Sequence, residues 1–92
     1  MKKYRIQVFG KVQGVAFRYY TKKKADELGL MGNTENQTDG SVLTYVVGEY
    51  EKLDLFVKWC HDGSPASNVS KVIAEELSMD RETEYVDFSI LR

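Results

Sequence analysis

The chain has 92 residues, a formal net charge of −1, one proline and one cysteine. We expect a chain of this length to form one domain, spanning residues 1–92. The near-neutral charge argues against broad affinity for nucleic acids or membranes, because both usually require an excess of basic residues. The lone Cys60 excludes an intramolecular disulfide, and the sequence has no signal-like or transmembrane apolar run. We therefore expect a cytoplasmic protein.

The first half of the chain predicts a strand, a helix and a hairpin. Residues 4–8 alternate apolar and polar side chains, as a half-buried strand does. Residues 17–28 carry apolar side chains about every four positions, which predicts a helix with one modest apolar face. Residues 31–37, polar on both sides, give only a weak strand pattern. Residues 38–41 (TDGS) predict a tight hairpin turn because Asp-Gly tolerates positive φ, and residues 42–47 then form the returning strand.

The second half predicts one more helix and two more strands. Residues 53–60 place four apolar side chains at i, i+3, i+4 and i+7, and Gly63 stops this amphipathic pattern. Residues 69–77 and 85–91 predict strands, with residues 80–82 in the turn after the first of them. The resulting order predicts an α+β, ferredoxin-like sandwich, with two helices packed on one face of an antiparallel sheet of four to five strands.

The segment between the first strand and the first helix, residues 10–18 (GKVQGVAFR), indicates an anion site. Its two glycines allow the backbone to bend so that several N–H groups point at one place. The helix N-terminus adds partial positive charge, and Arg18 adds a full charge with a planar fork of donors that suits phosphate. Neither the P-loop pattern nor the dinucleotide glycine spacing is present, so no magnesium-bound nucleotide site is implied.

The other chemically active side chains have simpler structural interpretations. His61 falls at the end of the second helix, where a cationic side chain favours the helix dipole, and Cys60 falls on the apolar stripe. Residues 22–24, three lysines, predict a solvated helix face, with a minor role in steering anions. The corresponding interpretation of Arg18 is a surface arginine paired with an acid. No cluster of ligand residues predicts a metal, and no cofactor is expected.

Residues 10–18 resemble the first motif of the acylphosphatase family. Residues 29–32 (GLMG) with 36–42 (NQTDGSV), and later residues 63–66 (GSPA), resemble further segments of that family, and the resemblance runs from about residue 4 to residue 90. It implies a small cytosolic enzyme with a ferredoxin-like fold. Such enzymes hydrolyse the carboxyl–phosphate anhydride bond of acyl phosphates without a metal.

The resemblance also implies roles for individual residues. Arg18 corresponds to the family's phosphate-binding arginine, and Asn36 to the asparagine that positions the attacking water. The phosphate cradle corresponds to the backbone of five residues, which are Gln13, Gly14, Val15, Ala16 and Phe17. The implied partner is a small acyl phosphate, with inorganic phosphate or sulfate as a site anion. No nucleic acid or membrane partner is implied, and nothing in the sequence requires more than a monomer.

The sequence departs from the family just before Asn36, where Asn33, Thr34 and Glu35 replace the usual aromatic, apolar and often basic residues. Strand alternation puts Thr34 and Asn36 on one face, and Asn33 and Glu35 on the other. The usual aromatic is therefore missing from the face opposite Asn36. Asn33 is an alternative match for the family's asparagine, but the spacing to residues 39–40 favours Asn36.

Two alternative functions follow from these observations. The departure at residues 33–35 allows a family member that binds phosphate or sulfate but hydrolyses acyl phosphates poorly or not at all. A ferredoxin-like fold also allows a module that binds RNA or a small ligand. RNA binding is disfavoured by the net charge and by the lack of a basic, aromatic run on the predicted central strands.

Overall fold

The computed structural model describes residues 1–79 and 85–91, so the turn predicted at 80–82 lies outside the described residues. The described residues form two helices and five strands, in chain order β1 (Lys2–Lys11), α1 (Phe17–Glu27), β2 (Met31–Asn36), β3 (Val42–Gly48), α2 (Tyr50–Asp62), β4 (Asn68–Leu77) and β5 (Phe88–Ile90). Both helices pack on one five-stranded sheet of order β4-β1-β3-β2-β5. The predicted α+β, ferredoxin-like class is confirmed.

The sheet differs from the prediction at its last strand. β1, β3, β4 and β2 pair antiparallel, but β5 pairs parallel to β2. This follows from the topology: β4 runs opposite to β2, so a chain that reverses after β4 and reaches the far edge must run alongside β2. β5 is also shorter than the predicted segment 85–91. The sequence alternation predicts one shared face for Val86, Phe88 and Ile90, but only Phe88 is buried, while Val86 is 91% exposed and Ile90 42% exposed.

The core lies between the sheet and the two helices. The inward side chains of β1 and β3 meet the apolar stripes of α1 and α2, and Phe88 of β5 closes one side. Removing such side chains from water supplies the main favourable free energy of folding, about 25 cal/mol per Å² of apolar surface. The fully buried larger apolar members are Ile6, Val8, Val12, Phe17, Val42, Val46, Leu53, Phe56 and Phe88. Cys60 belongs to this core, as predicted.

β2 enters this core through a polar contact that its sequence alone did not explain. Thr34 and Thr44, both buried on the helix-facing side of neighbouring strands, place their hydroxyl oxygens 2.8 Å apart. Each hydroxyl therefore keeps a hydrogen bond inside the core, which removes most of the cost of burying it. This hydrogen bond allows β2, a strand that is polar on both faces, to pack against the helix-facing core.

A bulge in β1 prepares the chain for the following loop. The pairing of β1 with β4 shifts register between Phe9 and Gly10, where Gly10 has φ 123°. A side chain at Gly10 would collide with the carbonyl oxygen of Asn68 on β4, so only glycine fits this bulge.

No helix in the described part of the chain is both long and apolar enough to cross a membrane.

Candidate active site

The loop between β1 and α1 has an unusual backbone. Gly14 has φ 76°, and Ala16, the residue before the first helical position, has φ 60° and ψ 24°, in the left-handed region. A non-glycine residue in this region costs about 1–2 kcal/mol, and such strain is characteristic of functional sites. Left-handed residues alternating with other conformations turn successive N–H groups toward one side, which makes a concave anion-binding nest.

The N–H groups of this loop are left without acceptors inside the protein. Among residues 1–79 and 85–91, no hydrogen bond takes the backbone N–H of any residue from 14 to 18. The helix itself cannot satisfy them, because the first N–H groups of a helix have no intrahelical partner. Ala16 provides no side-chain cap either, and its carbonyl oxygen accepts the Tyr20 N–H at 3.2 Å. The start of α1 thus offers unpaired donors together with the positive end of the helix dipole.

A cavity of about 220 Å³ opens at this helix start. It contains the two residues expected to bind phosphate and to position water, Arg18 and Asn36, which lie 18 positions apart in the sequence. The complete lining is Val12, Gly14, Ala16, Phe17, Arg18, Tyr19, Asn36 and Ile90. Of the predicted cradle residues, Gln13 and Val15 do not line the cavity, and both make contacts that hold the loop from outside.

Arg18 is held by the end of the chain. Its Nη1 donates a hydrogen bond of 2.7 Å to the carbonyl oxygen of Leu91, and the Leu91 N–H in turn donates to the Thr34 carbonyl oxygen at 2.8 Å. In the part of the chain that the structure describes, no carboxylate lies within ion-pair distance of Arg18. A guanidinium has five N–H donors, so this arrangement fixes the side chain and leaves donors for a ligand.

Asn36, the last residue of β2, faces the same cavity. Its Oδ1 is buried and has no hydrogen-bond partner among the described residues. A buried acceptor without a partner costs about 1–3 kcal/mol, so this oxygen marks a place where a donor is needed. Asn33, the alternative match, lies on the opposite face of β2, beside Tyr45 and Ser89 in the sheet register, and does not line the cavity.

Gln13 ties the loop to the hairpin that follows Asn36. Its Nε2 donates to the carbonyl oxygens of Gln37 at 2.8 Å and Ser41 at 2.9 Å. The hairpin is itself closed by Asp39, whose Oδ1 accepts hydrogen bonds from the Ser41 hydroxyl and backbone N–H. These bonds to the charged form lower the pKa of Asp39. The loop is therefore hydrogen-bonded to the hairpin that directly follows Asn36.

A second support comes from a residue that sequence analysis did not select. Ser64, buried after α2, donates its hydroxyl to the Val15 carbonyl oxygen at 3.1 Å. Because the C=O and N–H of a trans peptide point in opposite directions, this bond turns the Ala16 N–H away from Ser64. The only signal for it was the segment 63–66, whose resemblance to the family was noted without a role. Nothing in the sequence pointed to Leu91 or Ile90 at the site, because the fold brings the last strand there from a distance.

The match to known families agrees with this geometry. The family model named Acylphosphatase matches residues 4–90. The chain belongs to the acylphosphatase family. Among curated acylphosphatases, it is 42% identical to that of Shewanella amazonensis, covering 98% of this chain and 97% of the relative. It is 44% identical to that of Acaryochloris marina, covering 92% and 88%.

The solved structures give the same result for the fold. The crystal structure of acylphosphatase from Bacillus subtilis superposes with a TM-score of 0.94, at 37% identity and full coverage of both chains. The comparisons support acylphosphatase function for this chain, and none favours a ligand-binding or RNA-binding alternative. The chain is therefore an enzyme of this family, and the prediction of function is confirmed at that level.

Proposed function

We propose that the protein hydrolyses the carboxyl–phosphate bond of small acyl phosphates, giving a carboxylate and inorganic phosphate, without a metal or another cofactor. The observation that carries this proposal concerns residues 1–79 and 85–91. Among them, Arg18 and the Asn36 Oδ1 face one cavity, this oxygen has no partner, and the N–H groups at the start of α1 have no acceptor. Phosphate needs donors, an attacking water needs an acceptor, and both are present at one place.

The phosphoryl group binds at the start of α1 in this mechanism. Its oxygens accept hydrogen bonds from the backbone N–H groups of residues 14–17 and from the Arg18 guanidinium. Gln13 belongs to the cradle through its side chain, which holds the loop against the hairpin. These donors are fixed before the substrate arrives, so they stabilise charge on the phosphoryl oxygens in the transition state with little reorganisation.

The water attacks phosphorus from the Asn36 side. The Asn36 Oδ1 accepts a hydrogen bond from this water, which directs a lone pair of the water oxygen at the phosphorus atom. As the new P–O bond forms, the bond between phosphorus and the acyl oxygen breaks, and the carboxylate leaves with the electron pair. The proton lost by the water passes to a phosphoryl oxygen, because a neutral amide is not a base.

The leaving group explains why no general acid is needed. The conjugate acid of a carboxylate has a pKa of roughly 4, so the carboxylate departs without a proton. The free product phosphate, or sulfate as its analogue, is the expected site anion. We further propose that the protein works as a monomer in the cytoplasm. The free, buried thiol of Cys60 is compatible with a reducing compartment and cannot form a disulfide between two folded copies.

The test is hydrolysis of benzoyl phosphate by the purified protein, with and without EDTA, beside binding of inorganic phosphate measured by calorimetry. We expect phosphate release that EDTA does not change, and competitive inhibition by phosphate. Phosphate binding without turnover would instead identify an anion-binding relative that has lost catalysis. Turnover that EDTA abolishes would refute the metal-independent mechanism.

A further inference from the structure

We call the cavity that contains Arg18 and Asn36 the phosphate cavity. A second cavity of about 380 Å³ adjoins it along α1. The two cavities share Tyr19 and Ile90, so they are direct neighbours. The remaining lining residues of the second cavity are Lys22, Lys23 and Asp26, and most of its wall is apolar. We call it the acyl groove.

The walls of the acyl groove are exposed apolar side chains next to a polar site. Tyr19 is 59% exposed and Ile90 is 42% exposed. Large apolar side chains grouped beside a cavity indicate a binding surface more strongly than the same residues scattered singly. The Tyr19 ring is braced edge-on by Tyr20 at a centroid distance of 5.2 Å, so it offers a held aromatic face and not a loose side chain.

The two lysines of the groove differ in their partners. The Lys22 ammonium donates to the Asp26 carboxylate at 3.0 Å and to the Phe88 carbonyl oxygen at 2.8 Å, which fastens α1 to β5 and fixes the position of Ile90. Within the described ranges, no hydrogen bond or ion pair occupies the exposed Lys23 ammonium. Asp26 offsets the charge of Lys22, so the groove retains the single positive charge of Lys23.

We propose that the acyl groove binds the acyl part of the substrate and selects acyl phosphates with an apolar body and a second anionic group at the far end. The inference rests on the proposed function, because the phosphoryl group bound at Arg18 places the attached acyl chain. A short acyl group ends before the groove. A longer apolar one lies between Tyr19 and Ile90, and a terminal carboxylate on it reaches Lys23.

The experiment compares kcat/KM for acetyl phosphate, benzoyl phosphate and para-carboxybenzoyl phosphate, each at low and at moderate salt. Tyr19→Ala should lower the benzoyl-to-acetyl ratio about three- to tenfold, the range expected for one aromatic contact. Lys23→Gln should lower the para-carboxybenzoyl-to-benzoyl ratio about two- to fivefold, and added salt should shrink the wild-type preference, because this ion pair is exposed. Inhibition by inorganic phosphate should stay unchanged in Lys23→Gln.

Matched controls come from the far end of the molecule. Tyr50 is a similarly exposed tyrosine, at 55%, and Lys52 is an exposed lysine on the same helix, α2. Tyr50→Ala and Lys52→Gln should leave both ratios at their wild-type values. Ratios that stay at wild-type values in Tyr19→Ala and Lys23→Gln, or that move equally in the controls, would overturn the acyl groove alone. Wild-type protein that hydrolyses none of the three acyl phosphates would overturn the proposed function as well.

Discussion

Replacing Asn36 by alanine should lower turnover without lowering the stability of the fold. The Asn36 Oδ1 is buried and has no partner among the residues that the structure describes, so the folded protein carries a desolvation cost of about 1–3 kcal/mol for it. Asn36→Ala removes that cost together with some packing, so we expect the free energy of unfolding to stay the same or rise by about 1 kcal/mol. Turnover should fall about a hundredfold or more, the effect of losing one group that acts on the transition state.

Three measurements on Asn36→Ala decide this prediction. Urea unfolding gives the stability, benzoyl phosphate hydrolysis gives kcat, and calorimetry gives the affinity for inorganic phosphate, which should not change because Arg18 and the loop N–H groups remain. Asn33→Ala, on the other face of the same strand, is the matched control and should keep wild-type kcat. A marked loss of stability, or a loss of phosphate affinity equal to the loss of turnover, would refute the role assigned to the amide oxygen.

Three further predictions concern two residues of the site, Arg18 and Gln13, and the core residue Cys60. Arg18→Ala should weaken phosphate binding and lower kcat/KM about a hundred- to thousandfold, which corresponds to about 3–4 kcal/mol. Inhibition by phosphate and turnover of benzoyl phosphate measure the two effects, and an unchanged phosphate affinity would contradict the role of Arg18. Gln13→Ala removes the side-chain donor to the carbonyl oxygens of Gln37 and Ser41, which keep only their backbone donors within the hairpin. The loop then loses its tie to the hairpin, so kcat should fall more than phosphate affinity, and the hydrogen-bonded N–H groups of Gln37 and Gly40 should exchange faster; unchanged kcat and exchange would contradict this. Burial raises the pKa of the Cys60 thiol to about 12, whereas an unfolded thiol titrates near 8.5. Between these pH values the unfolded state binds fewer protons, so the free energy of unfolding should fall with rising pH by up to about 1.4 kcal/mol per pH unit. Cys60→Ala should flatten that slope in urea titrations at pH 8–10, and an unchanged slope would rule out the thiol as its source.

The site was predictable from sequence where its residues are local. The glycine pattern, the helix start and Arg18 fall within residues 10–18, and each acts through backbone conformation or helix geometry that short-range sequence determines. The hairpin at 38–41 was predictable for the same reason, since Asp-Gly favours a tight turn. The choice of Asn36 over Asn33 needed only the spacing to residues 39–40 within the family resemblance, and the structure places Asn36 on the cavity side.

The rest depended on contacts between distant parts of the chain. β5 has only three residues in the sheet, and its partner is set by where the preceding chain returns, so neither its short length nor its parallel direction has a local signal. Leu91 and Ile90 reach the site for this reason alone. The β2 strand was weak by its own pattern because its inward Thr34 is polar, and only the Thr44 hydroxyl on the next strand explains its burial.

The departure from the family at residues 33–35 affects the part of the strand that the site does not use. Asn33 and Glu35 lie on the open face of the sheet, opposite Tyr45 and Leu43, and neither lines the phosphate cavity. The inward position, Thr34, keeps a satisfied hydrogen bond in the core, and its carbonyl oxygen holds Leu91 at 2.8 Å, next to the Arg18 guanidinium. Asn33 and Glu35 therefore bear on how firmly β2 packs on its outer face, while Arg18 and Asn36 still line one cavity.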